Sequence, residues 1–237
     1  MTQVRYLGTG EAFDHRLPNT SVVYEGAQRV LLDCGYSVPQ ALWRASLDPD
    51  WLDAIYLTHF HADHCFGLPA VLARMGEDGR ERPLTLVGGK GSQASTERVL
   101  ETGYPGLVGK CPFDVNFVEV PPGQPVVLGD LTVATARSNH SVPNHSVRIA
   151  EGPVSVCYSG DGGPTPETEA LYAGATLLIH EAYYPDWSDK QTHASIPQVR
   201  ELAQRAGVDQ LHLLHLKRSA TRPDDVVLPT PGDVFSL

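Results

Sequence analysis

Cysteine is scarce and scattered in this 237-residue chain: Cys34, Cys65, Cys111 and Cys157 form no C-x-x-C pair. That spacing excludes a paired-thiolate metal site and offers no disulfide framework, so a reduced protein is the expectation. No apolar run approaches the roughly 20 residues needed to span a bilayer, which leaves no membrane partner. The N-terminus opens on the strand-like Val4–Gly8 with no basic-then-apolar leader, so cytoplasmic localisation is expected. Blocks of lysine or arginine are also missing. Lys+Arg total 18 against 28 for Asp+Glu, a formal net charge of −10. A large polyanion is repelled on average, and a nucleic-acid partner needs a local basic patch that the sequence does not show.

What is present fits an ordinary soluble enzyme, with 41% hydrophobic and 19% charged residues, and Gly 22 and Pro 19 supplying many turns. A chain of this length suits one domain over residues 1–237 that buries about 70% of its unfolded surface. Short β-branched and apolar runs bounded by Gly, Pro, Asp or Asn read as strands at 4–7, 21–24, 30–33, 55–58, 84–87, 115–120, 131–135, 147–150, 154–158, 177–180 and 211–216. Helical patterns fall at 39–45, 67–75, 93–101, 166–172 and 196–206. The last carries Val199, Leu202, Ala203 and Ala206 at three- and four-residue spacing. The order implies an α+β fold of two packed mixed β-sheets with helices on the outer faces.

Directly after the apolar run 54–58 comes His59-Phe60-His61-Ala62-Asp63-His64, three imidazoles and a carboxylate in six residues. In an extended segment, residues two apart project to one side, so His59 and His61 aim at one point. Asp63 and His64, on the turn that follows, reach a second point close by. Imidazole nitrogen and carboxylate oxygen are ligands for a borderline ion such as zinc. A two-metal centre needs about seven protein ligands, and three further candidates sit where apolar strands end: His140, Asp161 and His215. Asp161 can bridge, because a carboxylate offers one oxygen to each ion.

The ordered pattern H-x-H-x-D-H, then His, Asp and His resembles the metallo-β-lactamase-fold hydrolases, over residues 59–215. The resemblance implies an αββα sandwich and two divalent ions, zinc or manganese. His59, His61 and His140 would hold the first, Asp63, His64 and His215 the second, with Asp161 between them. It also implies hydrolysis, since a water between two ions becomes hydroxide near neutral pH and the ions stabilise charge on the attacked group. Asp63 would both bind metal and orient that hydroxide.

Three further segments are similar to ribonuclease Z and its small phosphodiesterase relatives: Leu7-Gly8-Thr9-Gly10 with Asn19-Thr20-Ser21 and Leu32-Asp33-Cys34-Gly35, then His140-Ser141-Val142-Pro143, then His180-Glu181-Ala182 with His193-Ala194-Ser195. By that resemblance His193 lies near the scissile phosphate and donates a proton to the leaving alkoxide, while Glu181 fixes its tautomer. The chain also departs from ribonuclease Z. Only 20 residues separate His140 from Asp161, which leaves no room for a long tRNA-gripping arm, and Lys217-Arg218-Ser219 replaces the Ser-x-Arg-Tyr pattern.

The expected activity, by this resemblance, is a dinuclear metal phosphodiesterase on a small (cyclic) phosphodiester or nucleotide, of the phosphoribosyl cyclic phosphodiesterase type. The alternatives are a lactone or thioester hydrolase on the same core and a tRNA 3′-processing endonuclease without the usual arm. A small phosphoester is the expected partner, tRNA is not, and a homodimer is open. Lys217 and Arg218 read as a solvated basic pair in preference to a phosphate clamp. His15 and His145 either line the cleft or do not, and His212, three residues before His215, points to the opposite face of its strand.

Overall fold

The computed structural model describes all of residues 1–237. The first half runs β1 (Gln3–Gly8), β2 (Ser21–Glu25), β3 (Arg29–Leu32), α1 (Val38–Ala45), β4 (Ala54–Leu57), α2 (Ala62–Cys65), α3 (Leu68–Glu77), β5 (Leu84–Gly89), α4 (Ser92–Gly103), α5 (Leu107–Lys110) and β6 (Val115–Val120). The second half runs β7 (Val126–Leu128), β8 (Leu131–Arg137), β9 (His145–Glu151), β10 (Val154–Tyr158), α6 (Pro166–Tyr172), β11 (Leu177–Glu181), α7 (Ile196–Ala206), β12 (Gln210–Leu214) and β13 (Val234–Ser236).

Two sheets form, in the orders β13-β1-β2-β3-β4-β5-β6 and β12-β11-β10-β9-β8-β7. Each is mixed. An antiparallel meander, β1-β2-β3 or β7-β8-β9-β10, passes into parallel pairs through β4–β6 or β11–β12. Alternation along each strand explains the layering. Val4, Tyr6, Val22, Tyr24, Val30, Leu32 and Tyr56 face the other sheet, joined there by Val133, Val147, Ile149, Val156, Tyr158 and Ile179. Their neighbours Val23, Leu31, Ile55 and Leu57 face outward under Val38 and Leu42 of α1 and Leu68, Val71 and Leu72 of α3. On the second sheet Cys157 and Leu178 face outward under Tyr172, Leu202, Ala203 and Ala206. The order of layers is helix, sheet, sheet, helix, as the expected α+β sandwich requires. Strands covered on both faces lose the polar alternation of a one-sided sheet and read as continuous apolar runs. Each buried leucine contributes about 1.5–3 kcal/mol against exposure.

Several boundaries differ from the sequence reading. The last expected strand stops at Leu214, because His215 takes φ 59° and breaks the extension. The one-turn helices α2 and α5 and the three-residue edge strands β7 and β13 were not expected. Such pieces are too short for periodicity to show. No helix is long and apolar enough to cross a membrane.

The fold positions function through one geometric fact. β3, β4, β8, β10, β11 and β12 all end at the same edge of the sandwich, where polar residues gather: Glu181 as the last residue of β11, and Asp33, His59, His140, Asp161 and His215 in the segments after the other five. Crevices beyond the carboxyl ends of parallel strands are where open sheets bind ligands.

Candidate metal centre

The hexapeptide leaves β4 extended through His61 and then turns into α2, so His59 and His61 lie on one side and Asp63 and His64 on a helical turn. The loop before α1 lies against it. A β-carbon on Gly35 would stand 1.9 Å from the Asp63 carbonyl oxygen, so only glycine allows this approach. The two non-glycine residues with positive φ, Asp33 (61°) and His215 (59°), are both here. Left-handed backbone costs such residues roughly 1–2 kcal/mol, and it turns both side chains off their strand ends into the site.

All seven expected ligands converge in two groups. The ligating atoms of His59, His61 and His140 lie within 4.8 Å of one another, as do those of Asp63, His64, Asp161 and His215. His61 Nδ1 stands 3.2 Å from both His59 Nε2 and His140 Nε2. Ligands on a tetrahedral ion at 2.0–2.1 Å stand about 3.4 Å apart, so this spacing fits one cation at their centre. In the second group His64 Nε2 is 3.2 Å from Asp63 Oδ2 and 3.3 Å from Asp161 Oδ1, and His215 Nε2 is 3.4 Å from Asp161 Oδ2. Asp161 thus presents one oxygen to each of two histidines, and it also groups with His140 and His193.

The remaining ring nitrogens fix the tautomers. His64 Nδ1–H donates to Asp33 Oδ2 at 2.7 Å, and His140 Nδ1–H donates to the Thr192 carbonyl at 2.8 Å. Thr58 Oγ1 donates to Asp33 and Thr20 Oγ1 donates to the Gly10 carbonyl, so each accepts from its histidine, His59 Nδ1 at 3.0 Å and His215 Nδ1 at 3.1 Å. Four Nε2 lone pairs are thereby aimed inward. One of them, His64 Nε2, and the Asp161 Oδ1 that faces it are both buried without a hydrogen-bond partner. A buried orphan costs about 1–3 kcal/mol, and a cation relieves both. The residues therefore fit the divalent ions that the fold implies.

The electrostatics agree. Burial pushes the His64 imidazole down, but Asp161 and Asp33 outweigh it and hold it well above the ordinary value. The His59 ring, buried beside His64, falls well below it. The cluster calls for positive charge at the Asp161 side.

Glu181 is fully buried and accepts four bonds: from Gly162 N (3.0 Å), Ala194 N (3.0 Å), Tyr183 N (2.8 Å) and His193 Nδ1 (3.0 Å). His193 therefore keeps Nε2 free. Its ring centroid is 5.0 Å from that of His140 and 6.1 Å from that of His215. Two residues on, Ser195 caps α7 in a capping box with Gln198, which holds this loop to a rigid helix.

Other expectations resolve plainly. His212 packs between the sheets against Tyr6, whose hydroxyl lies 2.7 Å from Nδ1. His145 packs on Gly89, and His15 is exposed. Lys217 and Arg218 are both exposed, in keeping with a solvated pair, and Arg218 Nη1 in addition donates to buried Glu11 at 2.7 Å. Sequence reasoning assigned no role to Asp33, Thr20 or Thr58. Asp33 stood in a quoted motif, yet a lone carboxylate after a strand carries no local sign of the histidine it will hold.

Comparison with known proteins places this geometry in a family. The family described as Beta-lactamase superfamily domain matches residues 28–216, and the chain belongs to it. It is a hydrolase of the metallo-β-lactamase fold, whose relatives are hydrolases. Ribonuclease Z of Methanothermobacter thermautotrophicus is 29% identical over 291 aligned residues, covering 100% of this chain and 93% of the relative. Ribonuclease Z of Methanosarcina mazei is 27% identical over 281, covering 95% and 90%. Among solved structures, the short form of human tRNase Z superposes with a TM-score of 0.84 at 22% identity, over 99% of this chain and 98% of that one. A diphosphatase of the PhnP family gives 0.78 at 18% identity, over 100% and 98%.

Proposed function

We propose that this protein is a dinuclear metal-dependent phosphodiesterase acting on a small phosphodiester, such as a cyclic phosphate or a nucleotide. One observation carries the reading: beside the seven converging ligands stands His193, its Nδ1 held by Glu181 and its Nε2 free. Carboxylic-ester hydrolysis on the same core does not call for this pair.

In this reading His59, His61 and His140 would hold one ion and Asp63, His64 and His215 the other, with Asp161 placed to contribute to the second group and to approach the first. Two divalent ions, zinc by affinity order or manganese by availability, supply a water of lowered pKa and positive charge toward the phosphoryl oxygens. Asp63, whose carboxylate stands in the second group beside His64, would orient the attacking water. His193 Nε2–H donates a proton to the departing alkoxide. Burial opposes the charged ring, but the hydrogen bond and charge of Glu181 outweigh it and raise the His193 pKa above the ordinary value. Four free cysteines support a reducing compartment such as the cytoplasm.

The small-substrate choice is supported by the 20 residues between His140 and Asp161 and the net charge of −10. The 291-residue alignment also exceeds this chain's 237 residues, so that relative carries segments absent here. The second reading, 3′ processing of tRNA precursors, is favoured by full-length similarity to proteins named ribonuclease Z. The test offers zinc- and manganese-loaded protein a 2′,3′-cyclic nucleotide, a precursor tRNA and a lactone. Turnover of the cyclic nucleotide is the expected result. Faster cleavage of the tRNA favours the second reading, and turnover of the lactone alone overturns both.

A further inference from the structure

We infer that the cavity between α4 and the ligand hexapeptide is an effector site for a small aromatic ring carrying one anionic group, coupled to metal binding through Phe60. The inference rests on the metal centre and not on which ester the enzyme cleaves.

The hexapeptide itself places the cavity. His59 and His61 turn toward the first ligand group, so Phe60 between them projects to the opposite side of the extended segment. There its ring packs, half-buried, on the outer apolar core of the first sheet. Phe66, two residues after His64, is 57% exposed and lines the same cavity. Pro69, at the start of α3, lies against the end of α4: a β-carbon on Gly103 would stand 2.5 Å from the Pro69 ring. The enclosed volume is about 320 Å³. Small-ligand pockets run from about 300 to 1,000 Å³.

The facing wall supplies the chemistry. Ser95, Arg98 and Val99 stand three and four residues apart on α4, so they share the face that lines the cavity. Val99 extends the apolar floor. Arg98 sits at its edge without a carboxylate partner, because the two neighbouring carboxylates of α4 are engaged elsewhere. Glu97 Oε1 accepts from Gln93 Nε2 at 2.9 Å, and Glu101 Oε2 accepts from the Gly106 amide at 2.8 Å. A flat ring laid on Phe60 and Phe66 removes apolar surface from water and pairs with their rings. An acidic group on that ring meets the free guanidinium, in a chain whose net charge is −10.

Coupling follows from the shared backbone. Held to one ion, His59 and His61 fix Phe60 between them; released, they leave its ring free to shift. A ligand seated on the fixed ring favours the metal-loaded arrangement, and by reciprocity metal loading tightens the ligand by the same factor.

The probe is naphthalene-2-sulfonate, whose sulfonate is a weak ligand for zinc, with uncharged 2-naphthol as its control. Zinc-loaded protein should bind the sulfonate with a Kd of about 1 mM or tighter, the strength usual for a ligand of this size. The naphthol should bind about tenfold more weakly, and Arg98→Gln should bring the sulfonate to the same level. Amide shifts on binding should centre on Phe60, Ser95 and Arg98. Val99→Trp, which fills the cavity, should bind neither. Saturating sulfonate should tighten zinc at least about fivefold in a chelator competition with native protein, and not at all with Val99→Trp. Absence of saturable binding, or equal affinity for the two probes in native protein, overturns the site. An unchanged zinc affinity overturns the coupling. Displacement of the sulfonate by adenosine 3′-monophosphate would make the cavity part of the substrate cleft and overturn a separate effector site.

Discussion

His64 donates through Nδ1 to Asp33 Oδ2 at 2.7 Å, and both side chains are fully excluded from solvent. Asp33 accepts from Tyr158 Oη as well, and its other oxygen accepts from the Thr58 amide. One carboxylate from the end of β3 therefore sets the ring on which the second cluster depends. Such partners hold a metal-ligating histidine in one tautomer and orientation, and losing them typically costs 10–100-fold in metal affinity.

Asp33→Asn, which keeps the shape but not the charge, should weaken zinc binding about 10–100-fold. A chelator-competition titration reads this directly. Unchanged affinity would mean that packing alone holds the ring.

His193→Ala should slow hydrolysis of alkyl phosphodiesters by about 10²–10⁴-fold, the range of a lost general acid. The loss on p-nitrophenyl esters should be far smaller, because p-nitrophenolate departs without a proton. Rates across a leaving-group series decide the matter, and equal losses would remove the proton-donor role.

Metal removal should destabilise the fold, since it leaves His64 Nε2 and Asp161 Oδ1 buried without partners. Bound ligand stabilises by mass action, about 2.7 kcal/mol at one hundred times its Kd. Melting curves should therefore shift down with chelator and return as zinc is added back in increments. A melting temperature indifferent to zinc would contradict the site.

Burial lowers the His212 pKa to about 4. Its folded value is thus below the unfolded value of about 6.5, and the unfolded chain binds more protons between the two. The stability from this group is fully present above about pH 6.5 and is lost as the pH falls toward 4, on the order of 3 kcal/mol in all. His212→Asn, which can still meet the Tyr6 hydroxyl, should show a shallower fall in denaturation midpoint over that interval than the native chain. Parallel profiles would mean that His212 is not held neutral.

Much of the site was legible because its ligands obey local rules. His59 and His61 are two apart on an extended segment, and His140, Asp161 and His215 follow apolar strands at one edge. What supports them was not, because it depends on pairings far along the chain. Asp33 reaches His64 only through the parallel register that sets Leu32 beside Tyr56. Thr20 reaches His215 across 195 positions, and Glu11 reaches Arg218 across 207. Sheet order was equally hidden: β13 pairs with β1 through three residues near the other end of the chain.

The most direct test is hydrolysis of bis(p-nitrophenyl) phosphate by zinc- and manganese-loaded protein beside an Asp63→Ala variant, with metal content measured on both. A dinuclear phosphodiesterase requires about two ions per chain and turnover that the variant loses while keeping its fold. Protein holding two ions that leaves the diester intact, or a variant as active as the native enzyme, would contradict the account.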